Sequence, residues 1–226
     1  MVTSENCAST GLPDYTRGEE RFNMITHIVG GGLGIVALLA CVIVAGLYSN
    51  VWGIVSGIIY GLSVITLFTV SSIYHGLHVG LPKRVFRVLD HCMIYFLIAG
   101  TYTPIVLGRF REVYPFDAWL IFGVIWGLAA LGITLTAIDR KKFSKFALIC
   151  YLGMGWTAIF RINRLTEVLG VPFFVLIISG GVLYTAGVIF YGMGPKKKYL
   201  HSVFHLFVNA GSILHSIAIA AFVMPV

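Results

Sequence analysis

Apolar residues fill the chain in seven long stretches, at about 25–47, 51–77, 88–107, 117–137, 146–163, 169–191 and 200–224. Each runs to roughly 20 residues, the length that carries an α-helix across a hydrocarbon core of about 30 Å. The connections are short. The pattern therefore predicts an all-α fold: a seven-transmembrane helical bundle with no soluble domain. Residues 1–22 form a short polar tail and residues 23–226 the seven-span membrane domain. The tail has no apolar core or cleavage-like site, and the first apolar run is itself long enough to span, so it does not read as a cleaved signal peptide. Glycine is frequent, at 26 residues, as expected where membrane helices pack backbone to backbone. Gly30-Gly31-Gly32-x-Gly34 belongs to this class. It is not a phosphate loop, since no strand precedes it and no Gly-Lys-Ser/Thr follows.

Composition sharpens the picture. The chain is 58% hydrophobic and 11% charged, with a mean hydropathy of +0.91. That balance leaves too few polar residues to cover a soluble surface, and it points to a multi-pass protein of the cell membrane. The net charge of +7 does not indicate nucleic acid, because the basic residues sit in clusters between apolar runs and act as topology signals. Arg17 and Arg21 lie in the tail, Lys83, Arg84 and Arg87 in the second-to-third connection, Arg140, Lys141, Lys142 and Lys145 in the fourth-to-fifth, and Lys196, Lys197 and Lys198 in the sixth-to-seventh. The alternate connections hold only Arg109, Arg111, Arg161 and Arg164. Twelve basic residues against four place the N-terminus in the cytoplasm and, after seven spans, the C-terminus outside. Cys7, Cys41, Cys92 and Cys150 show no paired spacing, and no disulfide is predicted.

This topology sorts the ionisable residues by depth. His75 falls near the cytoplasmic end of the second span, with Ser71 one turn deeper on the same face. Asp90 and His91 fall in the first turn of the third span, His201 and His205 in the first two turns of the seventh, and Asn23 and His27 at the opening of the first. Four helices thus present polar groups at one level, where such residues are costly and usually face the bundle interior. His201 and His205, spaced i, i+4, share a helix face about 6 Å apart at the backbone. That spacing suits two nitrogens on one Zn2+, and His75 supplies a third from another helix. Three ligands leave a position for water, which zinc would acidify, with Asp90 to accept its proton and Ser71 to hydrogen-bond to Asp90 or to substrate.

Plainer readings stand beside this one. A His-x-x-x-His pair also fits two wetted histidines at an interface. Asp90 also fits a helix start or a pairing with Arg87, and Ser71 and Ser72 fit small packing residues. His78 is expected to be solvated. His91 and Cys92 are alternative ligands, of which at most one joins Asp90. His215 lies roughly 21 Å along the helix from His201 and is expected to bond to another helix.

At these residues the chain resembles the hemolysin III group of the progestin and adipoQ receptor family, over nearly all of residues 19–220. The resemblance rests on Glu20-Arg21-Phe22-Asn23-Met24-Ile25-Thr26-His27; Ser71-x-x-x-His75; Leu89-Asp90-His91, followed by Ile98-Ala99-Gly100-Thr101-Tyr102-Thr103-Pro104; Met154-Gly155-Trp156; and His201-x-x-x-His205 with His215. It implies seven spans with a cytoplasmic N-terminus. In the adiponectin receptors the matching histidines are zinc ligands, which implies His75, His201 and His205 as ligands here, with Asp90 beside the water and Ser71 behind it. The family's likeness to alkaline ceramidases implies a zinc-dependent hydrolase of a lipid amide or ester, acting in membrane-lipid homeostasis with membrane lipids as its partners. Lacking the receptors' long N-terminal domain and extended C-terminal tail, the chain looks like the short bacterial members and is not expected to be a hormone receptor. Two alternatives remain: a non-enzymatic membrane-fluidity regulator with structural zinc, and a hemolysin III-type cytolytic, pore-forming protein.

Overall fold

The computed structural model describes residues 12–48, 50–194 and 197–225; Cys7 and Lys196 lie outside them. Helix α1 spans Arg17–Leu47 and starts well ahead of the first apolar run. A capping box sets that start. The Glu19 N–H donates to the Thr16 hydroxyl at 3.3 Å, and the Glu19 carboxylate accepts from the Thr16 N–H at 2.8 Å. Helix α2, Val51–Gly76, is capped by Asn50, whose side-chain oxygen accepts from the Gly53 N–H at 2.8 Å. Its far end is closed by Lys83, whose ammonium donates to the carbonyls of Tyr74 and Leu77 at 3.0 and 2.9 Å. Those carbonyls belong to the last turn, where a helix leaves acceptors unfilled and favours a cation.

Helix α3, Leu81–Leu107, opens with Pro82 in its first turn, where the missing N–H costs nothing. It begins before the basic cluster rather than at residue 88. Asp90 and His91 therefore lie in its third turn, not its first, as the apolar run alone suggests. The short α4, Arg109–Val113, leads into α5, Pro115–Asp139.

Among the described residues, six helical stretches are long and apolar enough to cross a membrane, and one of them, Ser144–Met193, has 50 residues. As a straight helix it would measure about 75 Å, more than twice a hydrocarbon core. Instead it doubles back. Helix α6, Ser144–Gly155, ends in a 3₁₀ turn over Thr157–Arg161, and α7, Ile162–Met193, is interrupted at Gly170, whose φ of 84° lies in the region only glycine occupies freely. Arg161 and Arg164 both pair with Asp117 at the start of α5, and Tyr114 donates to Glu167 at 2.7 Å, which fixes the reversal at the end opposite α5's C-terminus. On the return, the Trp156 indole N–H donates to Thr185 of α7 at 3.1 Å.

The break after α6 leaves backbone groups without helical partners, and one side chain takes them up. The Tyr102 hydroxyl donates to the Gly155 carbonyl at 3.1 Å and accepts from the Ala158 N–H at 2.8 Å. Irregular backbone inside a membrane protein survives only with such substitutes.

Helix α8, Leu200–Ala218, runs into a π-turn at Ile219–Val223. It packs closely on α7 at Gly180, where any side chain would overlap the His215 ring. Large apolar side chains such as Ile28, Val36, Ile43, Val124 and Ile189 stand exposed on the outer face, as lipid contact requires. Cys41, Cys92 and Cys150 are free thiols.

Candidate metal centre

One end of the bundle gathers the starts of α1, α3, α6 and α8 and the ends of α2, α5 and α7. There His75, in the last turn of α2, meets His201 and His205, in the first two turns of α8. All three are buried, and one nitrogen from each lies within 4.8 Å of the others. The Nε2 atoms of His201 and His205 are 3.0 Å apart, within hydrogen-bond distance. Two nitrogens on a tetrahedral zinc at about 2.0–2.1 Å would stand roughly 3.3 Å apart, so the pair needs to open by only a few tenths of an ångström. The Nε2 of His75 is buried with no hydrogen-bond partner. A bare, buried imidazole nitrogen is costly, and a cation beside it removes the cost. The donor set fits a zinc ion.

Surrounding groups hold these rings. The Nδ1 of His75 donates to Glu20 at 2.6 Å, and the other Glu20 oxygen pairs with Lys83 at 2.9 Å. Next to it, Glu19 accepts from the Tyr199 N–H at 2.7 Å. Tyr199 is the residue before α8 and adopts φ 63°, so one carboxylate joins the starts of α1 and α8. Tyr15 covers the cluster: its ring stacks on His201 at 4.9 Å, and burial pushes its hydroxyl well above the usual phenol range.

One turn deeper, His27 of α1 stacks on His205 with ring centroids 3.8 Å apart. Both His27 nitrogens and both side-chain polar atoms of Asn23 are buried without partners. Ser71 and Asp90 interact with each other and line the cavity that also reaches His201 and His205. Asp90 is not part of the three-histidine group. The two alternative ligands are engaged elsewhere. His91 donates from Nδ1 to the Arg87 carbonyl at 2.8 Å, and the Cys92 thiol faces the Ile133 carbonyl at 3.8 Å. His78 is exposed. His215 donates to the Ile177 carbonyl on α7 at 3.0 Å and stays apart from the cluster.

The cavity measures about 230 Å3. Its lining includes Arg87, Arg140 and Tyr191 beside Asp90, and extends past Ile94, Ile98 and Val208 to Trp156 and His215. From His201 to His215 along α8 the distance is about 21 Å, a large part of a bilayer core.

The sequence pattern did not assign roles to Glu19, Glu20 or Lys83. Glu20 sits in the Glu20–His27 motif, but its pairing with His75 joins helices 55 residues apart in the chain. Lys83 reads from sequence as one more topology charge, yet it is 3% exposed.

Several known proteins have similar sequences. The chain is 36% identical to Hemolysin-3 of Bacillus cereus over 207 residues, covering 92% of this chain and 93% of the relative. It is 37% identical to the Hemolysin-3 homolog of Bacillus subtilis (strain 168) over 198 residues, covering 88% and 91%. The human Monocyte to macrophage differentiation factor matches at 27% over 206 residues, covering 89% and 83%. No solved structure matches the chain. The pattern of the Haemolysin-III related family fits residues 15–216, which span every element that builds the histidine cluster, and the chain is a multi-pass membrane protein belonging to that family.

Proposed function

We propose that the protein is a zinc-dependent hydrolase of a lipid amide or ester. In this reading His75, His201 and His205 are the metal ligands, and Asp90 and Ser71 the catalytic pair. The observation that carries it is the junction of two features: three buried imidazoles with an unpartnered His75 Nε2, and a cavity lined by Ser71, Asp90 and apolar side chains that reaches two of the three, His201 and His205. Zinc held by these three nitrogens would supply a Lewis acid that lowers the pKa of water and polarises a carbonyl. The chain does the rest. Asp90, outside the ligand group, accepts a proton from the attacking water and returns it to the leaving nitrogen or oxygen. Ser71 holds the Asp90 carboxylate in place. Arg87, Arg140 and Tyr191 contact the polar end of the lipid, and the apolar interior excludes water around an acyl chain.

The same reading takes Ser144–Met193 as two crossings, which gives seven spans. Helix α6 with its 3₁₀ turn covers about 28 Å, enough for one crossing. The twelve-to-four basic split then supports an inside N-terminus, an outside C-terminus, a cytoplasmic tail over 1–22 and a membrane domain over 23–226. A C-terminal reporter active only in the cytoplasm would overturn this orientation.

Asp90→Asn keeps size and hydrogen bonding but removes the proton acceptor. It is expected to retain zinc and lose lipid hydrolysis by at least about a hundredfold. Retained zinc with unchanged turnover sinks the role of Asp90. A wild type that binds zinc and turns over no lipid leaves the membrane-fluidity regulator. The name Hemolysin-3, borne by the Bacillus relatives, favours a further reading, a cytolytic protein. Red-cell lysis by the purified wild type, undiminished in His205→Ala, would support it over the hydrolase.

A further inference from the structure

We propose that Glu20 is the positioning residue that holds His75 as a metal ligand, and that Lys83 holds the Glu20 carboxylate in place; the inference rests on the metal reading above. An imidazole has two nitrogens, and only one of them can face the cluster. The Glu20 carboxylate accepts and does not donate when ionised, so at 2.6 Å from Nδ1 it fixes the proton there. The lone pair of Nε2 is then turned toward His201 and His205, where it stands buried and unpartnered. Carboxylate support of this kind orients a ligand ring and raises its basicity.

Lys83 completes the clamp. It is buried, 2.9 Å from the second Glu20 oxygen, and it also donates to the Tyr74 and Leu77 carbonyls at the end of the helix that carries His75. A buried ammonium needs such partners, and a buried carboxylate needs one in turn. Three helices, α1, α2 and α3, are thereby tied to one imidazole. His201 and His205 share a helix face and touch each other, whereas their Nδ1 atoms have no partner. Of the three clustered histidines, His75 alone comes singly from its helix, and it alone has a carboxylate hydrogen-bonded to its outer nitrogen.

The test uses the full chain in nanodiscs, loaded with zinc or with Co2+ as a spectroscopic substitute. Zinc affinity is measured by competition with a chromophoric chelator, and the thermal stability of the metal-free protein is measured separately. Glu20→Gln is expected to weaken zinc binding by about tenfold and Glu20→Met by up to about a hundredfold, with a changed Co2+ absorption band. The double variant Glu20→Met/Lys83→Met removes both charges together. It is expected to recover metal-free stability over Lys83→Met alone, because no buried charge is left unpaired. Its zinc affinity is expected to stay weak. A pair that only stabilises the fold would recover both properties in the double variant. Wild-type affinity and an unchanged Co2+ band in Glu20→Gln and in the double variant overturn this inference while the metal reading stands. No metal uptake by the wild type overturns both.

Discussion

Replacing Tyr102 by Phe isolates the cost of a broken helix inside the membrane. The ring is 6% exposed and keeps its packing in the variant, so only the hydroxyl is lost. That oxygen serves two backbone groups, the Gly155 carbonyl at 3.1 Å and the Ala158 N–H at 2.8 Å. Ala158 is 7% exposed, so water does not readily replace the lost acceptor. An unsatisfied buried group costs about 1–3 kcal/mol, and the carbonyl tolerates the loss better than the N–H. Polar bonds inside membrane proteins tend toward the low end, around 1 kcal/mol, because the unfolded chain finds partners too. Together these give an expected destabilisation of about 2 kcal/mol. Equilibrium unfolding in bicelles measures it, and amide exchange shows where it falls, with protection lost at Ala158. A Tyr102→Phe protein within about 0.5 kcal/mol of wild type, the range of an ordinary neutral substitution, with Ala158 still protected, would refute the substitution argument.

Two further outcomes follow from the geometry. Gly180→Ala places a Cβ against the His215 ring and 3.1 Å from the Gly211 carbonyl; the α7–α8 contact must open, at a cost of about 1–3 kcal/mol in unfolding experiments. Stripping zinc with a chelator should lower stability relative to protein held at a thousandfold excess over Kd by about 4 kcal/mol, and His75→Ala should abolish that difference.

The apolar runs made the helices legible because lipid imposes length and hydrophobicity on every span. The level of His75, His201 and His205 followed from alternation alone, since each crossing reverses direction. Helix starts were less visible in hydropathy, although polar signals marked them. Thr16 with Glu19 is a capping box, and Leu81-Pro82 is an N-terminal signature; both begin helices before the apolar stretch does. The reversal within Ser144–Met193 depends on the positive φ at Gly170 and on the Asp117 ion pairs, which join parts of the chain far apart in sequence. The same holds for Glu20 and Lys83. A charge near a span end reads as a topology signal until its partner on another helix is known.

The bond between Glu19 and the Tyr199 N–H joins the first helix to the last. The histidine cluster has the same reach, with His75 early in the chain and His201 and His205 in its final span. During synthesis, therefore, the early helices leave the ribosome with half of a clasp, and Glu20 and His75 wait for partners not yet translated. The cluster closes only after α8 has entered the bilayer. A chain truncated before residue 200 can insert every preceding helix and still lack two of the three imidazoles, so this centre forms only once α8 is in place rather than as an early folding event.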